Sequence, residues 1–402
     1  MKSVVIVGAG TMGAGIAQVA ASHDCHVALV DVQADVLRRG LDGIAKSLDR
    51  AVEKGRMTNA DREAILGRIV PVPAIKTFKQ AQLAIEAVVE NLDVKQRVFQ
   101  ELEAALPASA ILATNTSSLS VGKIAGAVRD PSRVIGMHFF NPAPLMPLVE
   151  IIAAASSSDA AVQEGVSVSK DWGKTPVIAK DTPGFIVNRV ARGYYLEALR
   201  LLGEGVAGVD EIDGVMRTHG GFKMGPFELM DLVGLDVNLA VSTSVWEQMD
   251  RHPRFEPREI QRGLVAKGHL GRKSNRGFYS YDADRPSVPA YMVDRRSFQI
   301  SPLLAGAMRA FADRAAAATA GTTEQYVFAR ILAAILNEAA LALDDGVASP
   351  EDIDTAMKLG TNYPKGSLAW CEEIGPRTVR GLLAELDSTV APGRYPSARW
   401  FD

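Results

Sequence analysis

Shifting the C-terminal part of this 402-residue chain against itself by 141 residues, with no gap, lays one helical pattern on another. Arg189 falls on Arg330, Glu197 on Glu338, Gly205 on Gly346, Ile212 on Ile353, Asp213 on Asp354, Met216 on Met357, Gly225 on Gly366 and Gly234 on Gly375, with Phe222 opposite Tyr363. A segment that recurs with its glycines and charges in place is a supersecondary unit built twice. The pattern within it is helical: Phe185 to Gly203 ends at Gly205 and Gly208, and Val209 to Thr218 carries Asp210 in its first turn. Val327 to Leu343 is apolar nearly all round, which suits a helix covered on every side. The expectation is an all-helical domain in two tandem copies, the second shortened.

The N-terminal part follows a different plan. Short apolar runs at Val4 to Val7 and His26 to Val30 alternate with helical patterns from Met12 and from Ala34 to Lys54. Further strand candidates lie at Leu83 to Val88, Ala110 to Ala113, Val134 to Met137 and Leu148 to Ile152. This βαβ order implies a parallel sheet covered by helices, an α/β domain of doubly wound, Rossmann type. The breaker cluster Asp181-Thr182-Pro183-Gly184 closes it. The expected division is residues 1–182 for the sheet domain, 183–282 for the first helical copy and 325–402 for the second. Residues 283–324 read as a linker, rich in Pro, Arg and Ser as far as Pro302, with an alanine-rich stretch from Leu303 to Ala320 that suits a helix or a semi-rigid spacer.

Composition narrows the partners. A hydrophobic content of 47% and a charged content of 23% suit a soluble chain with more than one core. A net charge of -3, with dispersed Lys and Arg, supplies no basic field for nucleic acid. Cys25 and Cys371 lack the spacing of a disulfide framework or a zinc site, so no metal is expected. No apolar run reads as long enough to span a membrane, and the chain enters a strand directly after Ser3. A cytoplasmic location is the expectation.

Gly8-Ala9-Gly10-Thr11-Met12-Gly13 stands between the first strand and the first helix. There Gly8 permits a tight turn, Gly10 lets backbone approach a diphosphate, and Gly13 lets the helix pack closely. The helix start at Thr11 and Met12 then faces the phosphates. Asp31 closes the second strand, where a carboxylate bonds ribose hydroxyls and repels a 2′-phosphate. The cofactor expected is NAD rather than NADP.

His138 and Glu150 flank a Pro-rich turn, each beside a strand-like run. A histidine held by a carboxylate makes a general base near neutral pH. Beside a nicotinamide, such a base removes a hydroxyl proton as hydride leaves the same carbon, which is oxidation of an alcohol to a ketone.

The residues Asn115-Thr116-Ser117-Ser118-Leu119, His138-Phe139-Phe140-Asn141-Pro142, Leu148-Val149-Glu150 and Asp181 to Arg189 resemble the L-3-hydroxyacyl-CoA dehydrogenases of fatty-acid and aromatic degradation, from Met1 to about Tyr281. The resemblance implies His138 as base, Glu150 as the acid holding its ring, and Ser117 and Asn188 as partners of the substrate oxygen, in a site closing between domains. Taken singly, Ser117 could form a turn and Asn188 could cap its helix. The resemblance also matches Glu90 and Lys95 to cofactor contacts, Asn115 and Asn141 to the nicotinamide pocket, and Ser47 and Lys54 to the coenzyme A part. Glu90 could equally cap a helix, and the lysines could be merely solvated.

The implied activity is reversible NAD-dependent oxidation of an L-3-hydroxyacyl-CoA, as in β-oxidation. A dehydrogenase of a free hydroxy acid or sugar acid, or a non-catalytic binding protein on the same fold, are the alternatives. Ala329 occupies the position of Asn188 in the second copy, which therefore lacks the chemistry. That copy is expected to pack on the first as an internal pseudo-dimer, with a homo-oligomer also possible.

Overall fold

The computed structural model describes residues 3–75, 79–281, 288–315 and 317–402. Contacts divide the chain into two compact units, Met1–Phe185 and Ile186–Asp402.

The first unit runs β1 (Ser3–Val7), α1 (Thr11–Ser22), β2 (His26–Val30), α2 (Ala34–Glu53), α3 (Asn59–Gly67), β3 (Ile69–Val72), β4 (Leu83–Glu86), α4 (Leu92–Ala105), β5 (Ile111–Thr114), α5 (Val121–Ala125), β6 (Val134–Phe139), β7 (Leu148–Ala153), α6 (Asp159–Asp171) and β8 (Thr175–Lys180). Its strands form one eight-stranded sheet in the order β3-β2-β1-β4-β5-β6-β7-β8. The chain starts in the middle, winds outward to β3, then crosses back to β4, so the strand order reverses beside β1. In such sheets, ligands bind beyond the carboxyl ends of the strands at that reversal. The central strands are buried on both faces, which explains their unbroken runs of Val, Ile, Leu and Ala.

Two features of the sheet differ from the sequence expectation. The β6 and β7 strands pair antiparallel, and β8 then pairs parallel with β7, so the sheet is mixed rather than parallel throughout. The short connection from Phe140 to Pro147 forces this, because a parallel return needs a long crossover. The strands β3 and β8 were not anticipated individually. In both, proline and exposed positions interrupt the apolar run, as edge strands tolerate.

The second unit comprises α7 (Val187–Val190), α8 (Arg192–Gly203), α9 (Val209–Thr218), α10 (Pro226–Val233), α11 (Leu235–Gln248) and α12 (Glu259–Ala266). A two-stranded ribbon, β9 (Tyr279–Ser280) and β10 (Val288–Pro289), precedes α13 (Pro302–Arg314), α14 (Thr322–Asp344), α15 (Pro350–Thr361), α16 (Ser367–Ile374) and α17 (Pro376–Thr389). The shift of 141 residues carries α10 onto α16 and α11 onto α17 without offset, and α9 onto the start of α15. Asp213 accepts from the amides of Phe227 and Glu228 at the start of α10, and Asp354 does the same for Leu368 and Ala369 at the start of α16. A Cβ at Gly225 or Gly366 would strike its aspartate at 2.3 Å, which is why both copies keep glycine there.

The two copies touch through equivalent residues. Arg189 Nε donates to Glu338 Oε1 at 2.7 Å, and Arg330 Nε donates to Glu197 Oε1 at 2.8 Å. Each guanidinium also reaches a second equivalent carboxylate, Asp345 from Arg189 and Glu204 from Arg330. Arg254 on Glu338 is likewise matched by the Tyr395 hydroxyl on Glu197. Contacts of residue i with j, repeated as j with i, are the mark of a two-fold relation. Where α8 crosses α14, a Cβ at Gly193 would lie 2.9 Å from the carbonyl carbon of Ala334, so glycine permits the approach.

Three expectations about this unit change. The helix read from Phe185 to Gly203 is broken: Phe185 has φ +48°, and Ala191 separates α7 from α8. The stretch read as linker contains α13, which buries Leu304, Met308 and Phe311 and packs against α17 and α14. Within that stretch, residues 283–287 and Ala316 lie outside the described residues. Finally, α14 is long and apolar enough to cross a membrane by length and composition, but 83% of that stretch is buried by surrounding protein. Those neighbours cover the apolar surface a bilayer would otherwise cover.

Candidate active site

The glycine turn has the geometry its spacing suggests. Gly8 adopts φ +101°, and a Cβ there would meet the Ala87 carbonyl oxygen at 2.5 Å. At Gly13 a Cβ would lie 1.8 Å from the Gly8 carbonyl oxygen, so α1 can start only with glycine at this position. Gly10 differs: a Cβ would meet nothing within 4 Å. The turn is therefore closed on two sides and open on the third, beside the first turn of α1 with Thr11 and Met12, which has no side-chain cap. An uncapped helix start beside an open glycine fits a diphosphate.

Asp31 completes this edge. Its carboxylate accepts from the Ala9 amide and the Gln33 amide, both at 2.9 Å, tying the end of β2 to the turn. The residues present fit NAD. They would hold its diphosphate at α1 and its adenine ribose at Asp31.

His138 and Glu150 are direct cross-strand partners in the antiparallel pair, so both side chains lie on one face. Nδ1 of His138 stands 2.6 Å from Glu150 Oε2. Glu150 is fully buried and His138 is 6% exposed. The Phe140 and Phe185 rings lie 4.5 and 5.9 Å from the imidazole, giving it apolar walls. With Nδ1 held by the carboxylate, Nε2 is the nitrogen left for proton exchange.

The segment after β5 is held by a polar network that sequence reading did not foresee. Glu86, fully buried at the end of β4, accepts from Lys95 Nζ at 2.7 Å, Thr114 Oγ1 at 2.8 Å and the Val88 amide. Lys95 is 1% exposed and also reaches Glu90 at 3.2 Å, so it is a buried ion-pair centre and not a solvated lysine. Glu90 gathers the turn: its Oε1 accepts from Thr116 Oγ1, the amides of Ser117 and Ser118, and Ser118 Oγ. The cap of α4 is Asn91, not Glu90. Burial would raise the Glu90 carboxyl, but the Lys95 charge and bonds from Thr116 and Ser118 outweigh it and hold it below its ordinary value.

Asn115 extends this frame to β6, its Oδ1 accepting from the Phe139 amide at 2.8 Å, next to His138. Asp181, read from sequence as part of a breaker and of the motif that carries the resemblance, accepts from Ser120 Oγ and from the amides of Val121 and Gly122, fixing the start of α5. Ser117 is thus carried on a turn clamped by Glu90, Asn115 and Asp181. The trace this leaves in the sequence is Thr114-x-Thr116, whose hydroxyls donate to two different carboxylates, buried Glu86 and more exposed Glu90.

The other candidates are more dispersed. Asn141 is exposed in the turn between β6 and β7. Ser47 is half-buried on α2, and Lys54 is exposed immediately after its last turn. Asn188 lies in α7, at the start of the second unit.

Residues 3–182 match the 3-hydroxyacyl-CoA dehydrogenase NAD-binding domain, and residues 184–281 and 326–402 match the C-terminal domain of the same family. The chain is 38% identical to the 3-hydroxyadipyl-CoA dehydrogenase of Escherichia coli, over 98% of this chain and 95% of that one. Among solved structures, a 3-hydroxybutyryl-CoA dehydrogenase from Escherichia coli superimposes with a TM-score of 0.87 at 38% identity, covering 100% of this chain and 97% of the other. The (S)-3-hydroxybutyryl-CoA dehydrogenase of Ralstonia eutropha gives 0.68 at 39% identity, covering 70% of this chain and 99% of its own. With its glycine turn, its buried His–Glu pair and these matches along nearly its whole length, the chain belongs to the 3-hydroxyacyl-CoA dehydrogenase family.

Proposed function

We propose that this protein oxidises an L-3-hydroxyacyl-CoA to the 3-ketoacyl-CoA, reversibly, with NAD as acceptor. The observation that carries the reading is the buried contact of 2.6 Å between His138 and Glu150, on the same sheet as the glycine turn. Nε2 of His138 takes the substrate hydroxyl proton, and Glu150 stabilises the imidazolium that results. As that O–H bond breaks, a C=O bond forms and the C–H pair leaves the same carbon. When bound, NAD supplies the nicotinamide that accepts this hydride. In the reverse direction His138 returns the proton to the carbonyl oxygen.

Ser117, on its clamped turn, is assigned to the substrate oxygen, and Asn188 to the same oxygen on its sequence motif alone. Glu90 and Lys95 shape the turn that faces the cofactor. Asn115 and Asn141 are assigned to the nicotinamide, and Ser47 and Lys54 to coenzyme A.

H138Q is expected to lower kcat by about a hundredfold to ten-thousandfold while NADH still binds by fluorescence titration. An unchanged rate would remove His138 from the mechanism. Parallel assays with 3-hydroxybutyryl-CoA, free 3-hydroxybutyrate and a sugar acid test the thioester, and turnover of only a free acid would overturn that choice.

The second helical copy is further assigned the role of a partner subunit, covering the face of α8 that a second chain would otherwise cover. Light scattering should then give the mass of one chain. A dimer that dissociates on charge substitution along α8 would count against this assignment.

A further inference from the structure

The repeat provides an internal control. What both copies keep is needed to build the helical fold; what only the first keeps has another reason to be there. Around Asn188, apart from the shared Arg189 and Arg330, the copies diverge. Arg192 is 3% exposed, and its Nε donates to the Asn188 carbonyl oxygen at 2.9 Å. Its Nη1 donates to Ser242 Oγ at 2.8 Å and to the Asn238 carbonyl oxygen, while the Tyr195 ring lies 4.9 Å from the guanidinium carbon. Among the described residues, no carboxylate pairs with it. Ser242 in turn donates to the Asn238 carbonyl oxygen, and Gln261 bonds the Asn238 side chain.

In the second copy the positions of Asn188, Arg192, Tyr195, Asn238 and Ser242 are Ala329, Ala333, Leu336, Val379 and Leu383, all fully buried and all apolar. The helical fold is therefore content with an apolar filling at this place. A buried guanidinium without an anion is costly, and burial pulls its affinity for protons down. The backbone differs as well. The second copy runs through this region as unbroken helix in α14, whereas the first is interrupted at Ala191, between Asn188 and Arg192. The Arg192 side chain bridges that interruption.

We propose that Arg192, braced by Ser242 and Asn238, is a positioning residue for Asn188: it fixes the backbone that aims the Asn188 amide. The inference rests on the reading that Asn188 bonds the substrate oxygen. A reaction that depends on aim loses rate steeply when a contact is misplaced by a fraction of its length.

The test is a double-mutant cycle. R192M, of similar length and without donors, is expected to lower kcat on 3-hydroxybutyryl-CoA by about tenfold to a hundredfold, with KM for NAD unchanged. R192K, which keeps a charge and a donor, should recover part of the loss. In an N188A background R192M should cost nothing further, because the aim it sets has no amide to direct. The same fractional loss in both backgrounds would mark Arg192 as structural only and overturn the proposal, as would a change below twofold in the wild-type background. If N188A itself retains full activity, it is the substrate role of Asn188 that fails, and the proposal falls with it. Should R192M not fold, R192K in the two backgrounds runs the same cycle with the same criteria.

Discussion

The two helical copies share their frame and differ in their filling. Their common part is charged: Arg189 with Glu338 and Arg330 with Glu197 cross between copies, and Asp213 and Asp354 each receive the first amides of the following helix. Their differing part is the neighbourhood of Asn188, polar in one copy and apolar in the other. A duplicated segment keeps its interface and helix caps because each copy needs them to pack. It is free to lose side chains that only chemistry requires. The comparison thus separates residues that hold the unit together from residues that serve a reaction, within a single chain.

The largest effect expected of the shared part comes from its ion pairs. R330M takes from Glu197, which is 1% exposed, the arginine on its Oε1 and leaves it Arg200 and the Tyr395 hydroxyl, so the loss in denaturant unfolding should reach about 3 kcal/mol, the lower end of the range for breaking a buried pair from one side. R189M leaves Glu338, 4% exposed, with Arg254 alone and should cost a similar amount. A large loss for one arginine and none for the other would break the two-fold reading of the interface, whatever the activity does.

Acid should expose the same pairs. Burial alone would raise the Glu197 carboxyl, but the charges of Arg330 and Arg200 and the Tyr395 hydroxyl outweigh it and hold it at about 2. A carboxyl lowered in the folded state contributes stability that is present above its unfolded value and lost as pH falls through the folded one. Unfolding free energy should therefore drop by roughly 3 kcal/mol on this account between about pH 5 and pH 2. In E197Q that part of the acid limb should vanish; a limb of the same depth in E197Q would assign the acid loss elsewhere.

These pairs also show what could be read without coordinates. The 141-residue shift aligned Arg189 with Arg330 and Glu197 with Glu338, because interface charges recur with the segment that carries them. It could not show that the arginine of one copy meets the glutamate of the other, since register does not reveal packing direction. The glycine turn and the His138–Glu150 pair were legible for a similar reason: both depend on local spacing around a strand end. The network of Glu86, Lys95, Thr114 and Glu90 was not, because its members come from β4, the loop after it, the start of α4 and β5 and meet only when the sheet forms. Edge strands β3 and β8 escaped because their exposed face breaks the apolar pattern, and α13 because an alanine-rich stretch looks alike as helix and as spacer.

At the crossing of the copies the comparison predicts a smaller asymmetry. Gly193 and Ala334 are equivalent, but only the glycine lies too close to the facing backbone to accept a methyl group. G193A should cost about 1–3 kcal/mol through overpacking, seen as a lower thermal midpoint. A334G removes a methyl from α14 and should cost about 1 kcal/mol, the helix penalty of glycine. Equal costs would mean that the two helices can slide past each other, and that the close approach at Gly193 is not what sets their crossing.

The smallest effect uses one copy as the template for the other. The helix α15 is capped by Ser349, whose Oγ accepts from the Asp352 amide at 3.1 Å. Its equivalent α9 starts at Gly208, which has no hydroxyl to offer, although Glu211 reaches back to the Gly208 amide at 2.7 Å. Gly208 has φ -77° and ψ 172°, an extended backbone that serine adopts without strain. A Cβ there would approach the carboxylate oxygens of Glu211 and Asp210 at 3.1 and 3.3 Å, the far ends of flexible side chains. G208S should therefore complete the reciprocal cap and raise stability by a few tenths of a kcal/mol, since glycine is itself a tolerable cap and loses only that much to serine. The paired variant S349G should lose a similar amount. A destabilised G208S would mean that the carboxylates cannot move aside, and that the first copy tolerates no hydroxyl where the second depends on one.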